Sequence, residues 1–329
     1  MDTSILLTGA TGNLGQVVAA ELARRGVPFV AMARSGSRRA ALTARGITAI
    51  HGDFDDPASL APALRGVRTA YLVCTPDEHL VRRETAFIRA ARAAGVRRIV
   101  KCSAYMAGDD APTQNLRSHG AIERVLLASG MEGTIVRPHG FMQTFTLFSW
   151  DLIQRAGVLS NPTGDGGMPL VDVRDVAQVV VRAIVDDGHV GRAYDLTGPE
   201  SLDGHRMAEI LESVLGRPID FIPAAPAPFA LMMRLLGVPP VPTEHVVTIM
   251  RLTREHRLER VEPTLTSLGI RPTTYEEFVR DLVAGRTGGG NSFKPPEGAL
   301  ARLLAAAMPA ATRLRIRALG RSRRPARAS

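Results

Sequence analysis

Residues 8–15 read Thr8-Gly9-Ala10-Thr11-Gly12-Asn13-Leu14-Gly15, and their reading decides the fold. An apolar run, Ile5-Leu6-Leu7, precedes them, and an apolar-periodic segment, Val17-Val18-Ala19-Ala20-Glu21-Leu22, follows. The order is strand, glycine turn, helix, which is the order a dinucleotide pyrophosphate needs. Gly9 allows the tight turn, Gly12 lets the backbone approach the phosphates, and Gly15 lets the helix pack closely on the strand. The helix start then offers N–H groups and positive dipole to an anion. A lone glycine triplet is a weak signal, but this strand–turn–helix setting favours a phosphate cradle over a ligand-free turn. The cradle comprises Gly9, Thr11, Gly12, Asn13, Leu14 and Gly15.

Outward from this turn, strands and helices alternate. Short apolar runs at 5–8, 29–33, 48–51, 70–74, 98–102 and 134–137 suit parallel strands covered on both faces. Helical segments lie between them at 14–25, 38–44, 57–64, 79–94 and 118–129. In the last, Ile122, Val125, Leu126 and Ser129 define one face, with Glu123 and Arg124 on the other. This alternation predicts an α/β fold, a doubly wound parallel (Rossmann) sheet with its ligand along the strands' carboxyl edge. Residues 1–140 form the dinucleotide-binding part, completed by about 168–198, with a helix at 173–185 and a last strand at 193–196. Segments 141–167 and 199–286, with helices at 145–156, 204–215, 229–236, 243–258 and 275–283, are expected to form a small, mostly helical substrate lid. Residues 287–329 read as a linker and a basic C-terminal extension.

The composition narrows the class. The 329 residues are 45% apolar, ordinary for a globular chain. No uninterrupted apolar run reaches the length of about 18 that a membrane span needs. The first strand begins too early for a signal peptide, and Cys74 and Cys102 read as free buried thiols, so a cytoplasmic location is expected. No metal site is expected. Almost all of the net charge of +9 sits in residues 291–329. The folded body therefore presents no basic face for nucleic acid. The tail is either a solvated charge run or a basic helix that docks on an acidic partner or an anionic membrane surface.

The second strand ends at Ala33-Arg34, where an acid would bind the adenosine ribose and select NAD. Here Arg34, Ser35, Arg38 and Arg39 gather instead, and guanidinium groups suit a 2′-phosphate. NADP(H) is therefore the expected cofactor, with Arg39 more plausibly a solvated first-turn residue. After the third strand, Gly52-Asp53-Phe54 caps the adenine or, equally, Asp53 caps the turn before Pro57.

The octet, His51-Gly52-Asp53-Phe54-Asp55-Asp56-Pro57 and Thr134-Ile135-Val136-Arg137-Pro138-His139-Gly140-Phe141-Met142 together resemble the NmrA-like branch of the atypical short-chain dehydrogenases/reductases. Asp172-Val173-Arg174-Asp175-Val176-Ala177 and Tyr194-Asp195-Leu196-Thr197-Gly198-Pro199 match further blocks, so the resemblance covers residues 3–285. It implies NAD(P)H-dependent quinone reductases, reductases of aromatic metabolites, or regulators that bind the dinucleotide without turnover. Short-chain dehydrogenases usually carry Tyr-x-x-x-Lys, but aligned on Gly130 the pair here reads Asn115-x-x-x-His119. Tyr105 does not restore it, because Asp109 stands four residues later. Several quinone reductases of the family are similar in having His there. The resemblance also places Ser103 at the active-site hydroxyl, and Thr75 and Pro76 beside the nicotinamide.

Without the dyad, an acceptor that spreads negative charge over a π-system is favoured over an isolated ketone. His119 or Ser103 would manage the proton. His139, Phe141, Met142 and Phe145, with Trp150, are candidate linings for a flat apolar or aromatic substrate. Plain packing is an equal reading for Phe145 and Trp150. Two functions follow: an NADPH-dependent reductase of a quinone or conjugated carbonyl, or an NADP(H)-binding redox sensor without turnover.

Overall fold

The computed structural model describes residues 4–286. The linker and the basic 291–329 segment lie outside the described residues. From the amino end come β1 (Ile5–Leu7), α1 (Asn13–Arg24), β2 (Val30–Ala33), α2 (Gly36–Thr43) and β3 (Ala49–His51). A 3-10 turn (Pro57–Ser59) runs into α3 (Leu60–Ala63), followed by β4 (Thr69–Leu72), α4 (Leu80–Ala93), β5 (Arg98–Cys102), α5 (Gln114–Leu127) and β6 (Glu132–Pro138). The chain leaves the sheet in α6 (Met142–Ala156) and β7 (Val158–Leu159), then returns through α7 (Val173–Val185) and β8 (Ala193–Leu196). It ends with α8 (Gly204–Leu215), β9 (Asp220–Phe221), α9 (Pro226–Leu235), α10 (Pro240–Arg254), α11 (Thr264–Ser267) and α12 (Tyr275–Val283).

Seven strands form one parallel sheet in the order β3-β2-β1-β4-β5-β6-β8. The order reverses between β1 and β4, so the crevice at their carboxyl ends is the natural ligand site. Strand alternation divides the core. Ile5 and Leu7 face α1 and α7, among Leu14, Val18, Leu22 and Val176. Leu6 faces the other way, toward Leu60 of α3, Phe87 of α4 and Leu126 of α5. Leu6, Leu7 and Phe87 are wholly buried, each such burial contributing about 1.5–3 kcal/mol.

The mostly helical lid also contains a short sheet that the sequence pattern does not announce. Val158 and Leu159 pair in parallel with Asp220 and Phe221, forming a second, two-stranded sheet. α8 packs there through Met207, Ile210 and Leu211, with Tyr275, Phe278 and Val279 of α12. Gly204 is required at that junction: a Cβ would lie 2.3 Å from the Phe221 ring. α5 also starts four residues before the predicted bound, because Thr113 caps it by accepting from the Leu116 N–H. Among the described residues no helix is long and apolar enough to cross a membrane.

Candidate functional site

A cavity of about 260 Å³ opens where β1, β2, β3 and β4 end, at the switch point of the sheet. Gly9, Thr11, Arg34, Arg38, Asp53, Phe54 and Thr75 line it together. Thr8 shapes its floor: its hydroxyl donates to the carbonyls of Tyr71 and Val73 and accepts from the Val73 N–H. Gly9 has φ +62°, and a Cβ there would meet Val73 Cγ1 at 2.5 Å. Gly15 has no room at all, since its Cβ would lie 2.1 Å from the Gly9 carbonyl oxygen. The Gly12 N–H donates to that same carbonyl, and Gly12 caps α1 with no side chain of its own. The N-cap of α1 therefore offers no side-chain oxygen to the first turn, in contrast to α2, α7 and α8, which Ser35, Asp172 and Asp203 cap.

The arginines separate by role. Arg39 turns back onto the Ala33 and Arg34 carbonyls and His51 Nδ1. Ser35 is spent on capping α2. Arg34 and Arg38 line the cavity and form no ion pair among the described residues. Gly52 admits the Met32 thioether, whose Sδ would sit 2.5 Å from a Cβ. Asp53 Oδ1 accepts from the Asp55 N–H, and the cap before Pro57 falls to Asp56, which accepts from Ala58. Phe54 is braced by Phe87 at 5.6 Å between ring centres. The uncapped helix start, the glycine cradle and two unpaired guanidinium groups fit an anionic dinucleotide carrying an extra phosphate.

A clasp closes one side of this cavity. Arg83 of α4 donates twice to Asp55, at 2.9 and 2.7 Å, and once to Asp77 at 2.5 Å, while Arg82 also reaches Asp55. The two guanidinium groups, Arg83 first, hold the Asp55 carboxyl down at about 2. Cys74, placed in a strand by its apolar neighbours, lies past the end of β4 in the cavity wall.

Beyond β4 the site changes character. Ser103 is buried, and its hydroxyl donates to Glu123, which Arg137 grips at 3.0 and 2.5 Å. Glu123 is therefore not on the solvent face of α5: a serine and an arginine satisfy its charge inside. His119 is buried too, neither in a first turn nor satisfied by solvent. Its Nδ1 lies 3.2 Å from Lys101 Nζ. Lys101 and Glu84 are both fully buried and pair at 2.8 Å. Burial, then the Lys101 ammonium, then His245, holds the His119 pKa well below the ordinary imidazole value. Burial also raises the Glu84 pKa against the opposing pull of Lys101 and the Cys74 backbone N–H. The sequence points to His119 but not to Lys101 or Glu84 beside it. The one signal available was a lysine in the strand run Arg98-Ile99-Val100-Lys101-Cys102 of a chain whose 41 basic residues are otherwise arginine except for Lys294.

His139 follows directly on β6 and packs against the ring of Tyr105, 5.2 Å between centres, and its buried Nδ1 has no hydrogen-bond partner among the described residues. Burial draws its pKa down to about 4. The Tyr105 hydroxyl donates to Glu262 at 3.2 Å. Phe141 caps α6 and packs against the α1–α7 core. Met142 is 1% exposed and is a core residue of the lid rather than an open lining. Phe145 and Trp150 pack, partly buried, on the same cluster. Pro76 is not among the cavity's lining residues.

These features define a dinucleotide-binding α/β oxidoreductase. A family model described as NmrA-like matches residues 1–279, and the chain belongs to that family. The NAD(P)H azoreductase of Xenophilus azovorans is 32% identical over 279 residues, 84% of this chain and 96% of the relative. The (4-alkanoyl-5-oxo-2,5-dihydrofuran-3-yl)methyl phosphate reductase of Streptomyces griseus is 38% identical over 279 residues, 82% of this chain and 93% of the relative. The structure of the Escherichia coli NADPH-dependent quinone oxidoreductase complexed with NADPH superposes with a TM-score of 0.75 at 30% identity, covering 85% of this chain and 99% of that one. The protein is an NAD(P)H-dependent oxidoreductase, and its cofactor is NADP(H).

Proposed function

We propose that the protein is an NADPH-dependent reductase of a conjugated acceptor, a quinone or an unsaturated carbonyl of aromatic size. The observation that carries this is that, among the described residues, each candidate proton donor is already committed elsewhere. The Ser103 hydroxyl is committed to Glu123, the Tyr105 hydroxyl to Glu262, and His119 is buried against an ammonium group. Reduction of an isolated ketone concentrates charge on one oxygen and needs such an acid. A conjugated acceptor spreads that charge and needs less. The names of the relatives support the reading, since azo groups, quinones and unsaturated dihydrofuranones are all conjugated two-electron acceptors.

When bound, NADPH supplies the hydride. The chain's own residues do the rest. Gly9, Gly12, Gly15 and the start of α1, with Thr11, Asn13 and Leu14, receive the pyrophosphate. Arg34 and Arg38 receive the 2′-phosphate, Asp53 and Phe54 flank the adenine, and Thr75 and Pro76 border the nicotinamide. His139 and Phe141 bound the acceptor side, and Phe145 and Met142 back it from the lid core. The partner is a small apolar or aromatic molecule. NADPH oxidation should be followed with matched quinones, enones, azo dyes and saturated ketones. The reading expects turnover of the conjugated acceptors only. Binding of NADPH with no turnover of any acceptor would overturn it.

A further inference from the structure

Lys101 is the only lysine among the described residues, and it is entirely buried at the carboxyl end of β5. Its Nζ has three neighbours: Glu84 Oε2 at 2.8 Å, the Cys102 carbonyl oxygen at 2.5 Å and His119 Nδ1 at 3.2 Å. An ammonium group has three N–H donors and no acceptor. A carboxylate and a carbonyl can only accept. With Lys101 charged, Glu84 balances it as an ion pair, the Cys102 carbonyl accepts one N–H and His119 Nδ1 accepts another. We infer that Lys101, neutralised by Glu84, is the positioning residue for His119, holding the imidazole by Nδ1 so that its single proton sits on Nε2. His119 is then a neutral, oriented hydrogen-bond donor and not a titrating acid.

The elements around the ring leave it no other charge state. β5 presents the Lys101 ammonium, α4 presents Glu84 already paired to it, and α10 presents His245, itself bound through Nδ1 to the Thr113 hydroxyl. On α5 itself Glu123 is taken by Ser103 and Arg137. A second proton on His119 would bring two cations 3.2 Å apart in a dry site. Lys101 reaches His119 from a different element, 18 residues away, so its effect is on orientation and tautomer rather than on contact with the acceptor. The consequence for turnover rests on the reduction proposed above. The geometry of the trio does not.

The test is ¹⁵N imidazole NMR of the full chain with NADPH, combined with steady-state kinetics of wild type and the paired variant Glu84→Leu/Lys101→Met. Removing both charges together avoids stranding one of them. In the wild type, His119 should show a hydrogen-bonded, unprotonated Nδ1 and a protonated Nε2, with no titration from about pH 5 to 8. In the paired variant the Nδ1 acceptor signature should disappear. Its kcat should fall about 10- to 100-fold with little change in KM for NADPH. A proton on Nδ1 in the wild type would overturn the inference. So would a paired variant with unchanged His119 signals and unchanged kcat. If the paired variant does not fold, the wild-type tautomer decides alone. If the wild type reduces no conjugated acceptor, the function proposed above fails while the NMR result still tests the trio.

Discussion

The two halves of the sheet's carboxyl edge solve opposite problems. Around β1 to β4 the chain leaves polar groups open: an uncapped helix start, two unpaired guanidinium groups and glycines with no room for a side chain. Around β5 and β6 it pairs charges inside itself, as Glu84 with Lys101 and Glu123 with Ser103 and Arg137. The first half is built to receive charge from a ligand. The second holds charge in place inside the protein, where an unpaired ion would be costly. The difference teaches that the two halves of one sheet edge rest on different physics. One uses backbone and exposed cations, and the other uses buried, paired side chains.

Breaking one partner of the buried half should produce the largest effect. Lys101→Met leaves Glu84 buried without its cation and should cost about 3–5 kcal/mol in urea unfolding, most of it regained when Glu84→Leu is added. An equally small loss for the single and paired variants would mean that the two charges do not depend on each other. In the open half, Arg34→Ala should weaken NADPH binding by about 1.5–3 kcal/mol, roughly 10- to 150-fold, while leaving NADH binding nearly unchanged. Titration of both dinucleotides checks this, and an equal loss for NADH would remove the 2′-phosphate role. Gly15→Ala forces α1 away from the Gly9 carbonyl and should cost about 1–3 kcal/mol of stability. It should also weaken NADPH binding, because the same turn carries the phosphates.

A further effect, spread over a range of pH, comes from a buried histidine. The His139 pKa is drawn down to about 4 in the fold, against about 6.5 in an unfolded chain. Between those values the unfolded state binds a proton that the native state refuses. Stability therefore falls as pH drops from about 6.5 toward 4, by at most about 1.4 kcal/mol per pH unit for this group. His245, also drawn down to about 4, adds a contribution of the same sign. His139→Asn should flatten the slope by about one proton in unfolding measured between pH 4.5 and 7. An unchanged slope would mean that His139 is protonated in the fold.

Much of the sheet and of the open half was legible in the sequence. The octet, the strand at 98–102 and the helix at 173–185 announce themselves through local pattern, because a glycine turn and an apolar strand depend on near neighbours. The reading of Arg39 as less engaged with phosphate than Arg34 followed from position alone, though its turn onto the Ala33 carbonyl did not. The buried half was not legible in this way. Glu84 and Lys101 lie on different elements, and Glu123 is polar in a helix whose period suggested a solvent face. Only the fold brings Ser103 and Arg137 to it. The same is true of β7 and β9, two residues each, which exist because distant segments meet. The Arg83 clasp was missed for the same reason, since its partners Asp55 and Asp77 come from two different loops.

The central claim is that hydride goes to a conjugated system without a strong acid at a carbonyl oxygen. The most direct test uses NADPH carrying deuterium in the transferable position and an α,β-unsaturated ketone as acceptor, with the product analysed by NMR. The claim predicts deuterium on the β-carbon and an intact carbonyl. Deuterium on the carbonyl carbon, giving an allylic alcohol, would contradict it.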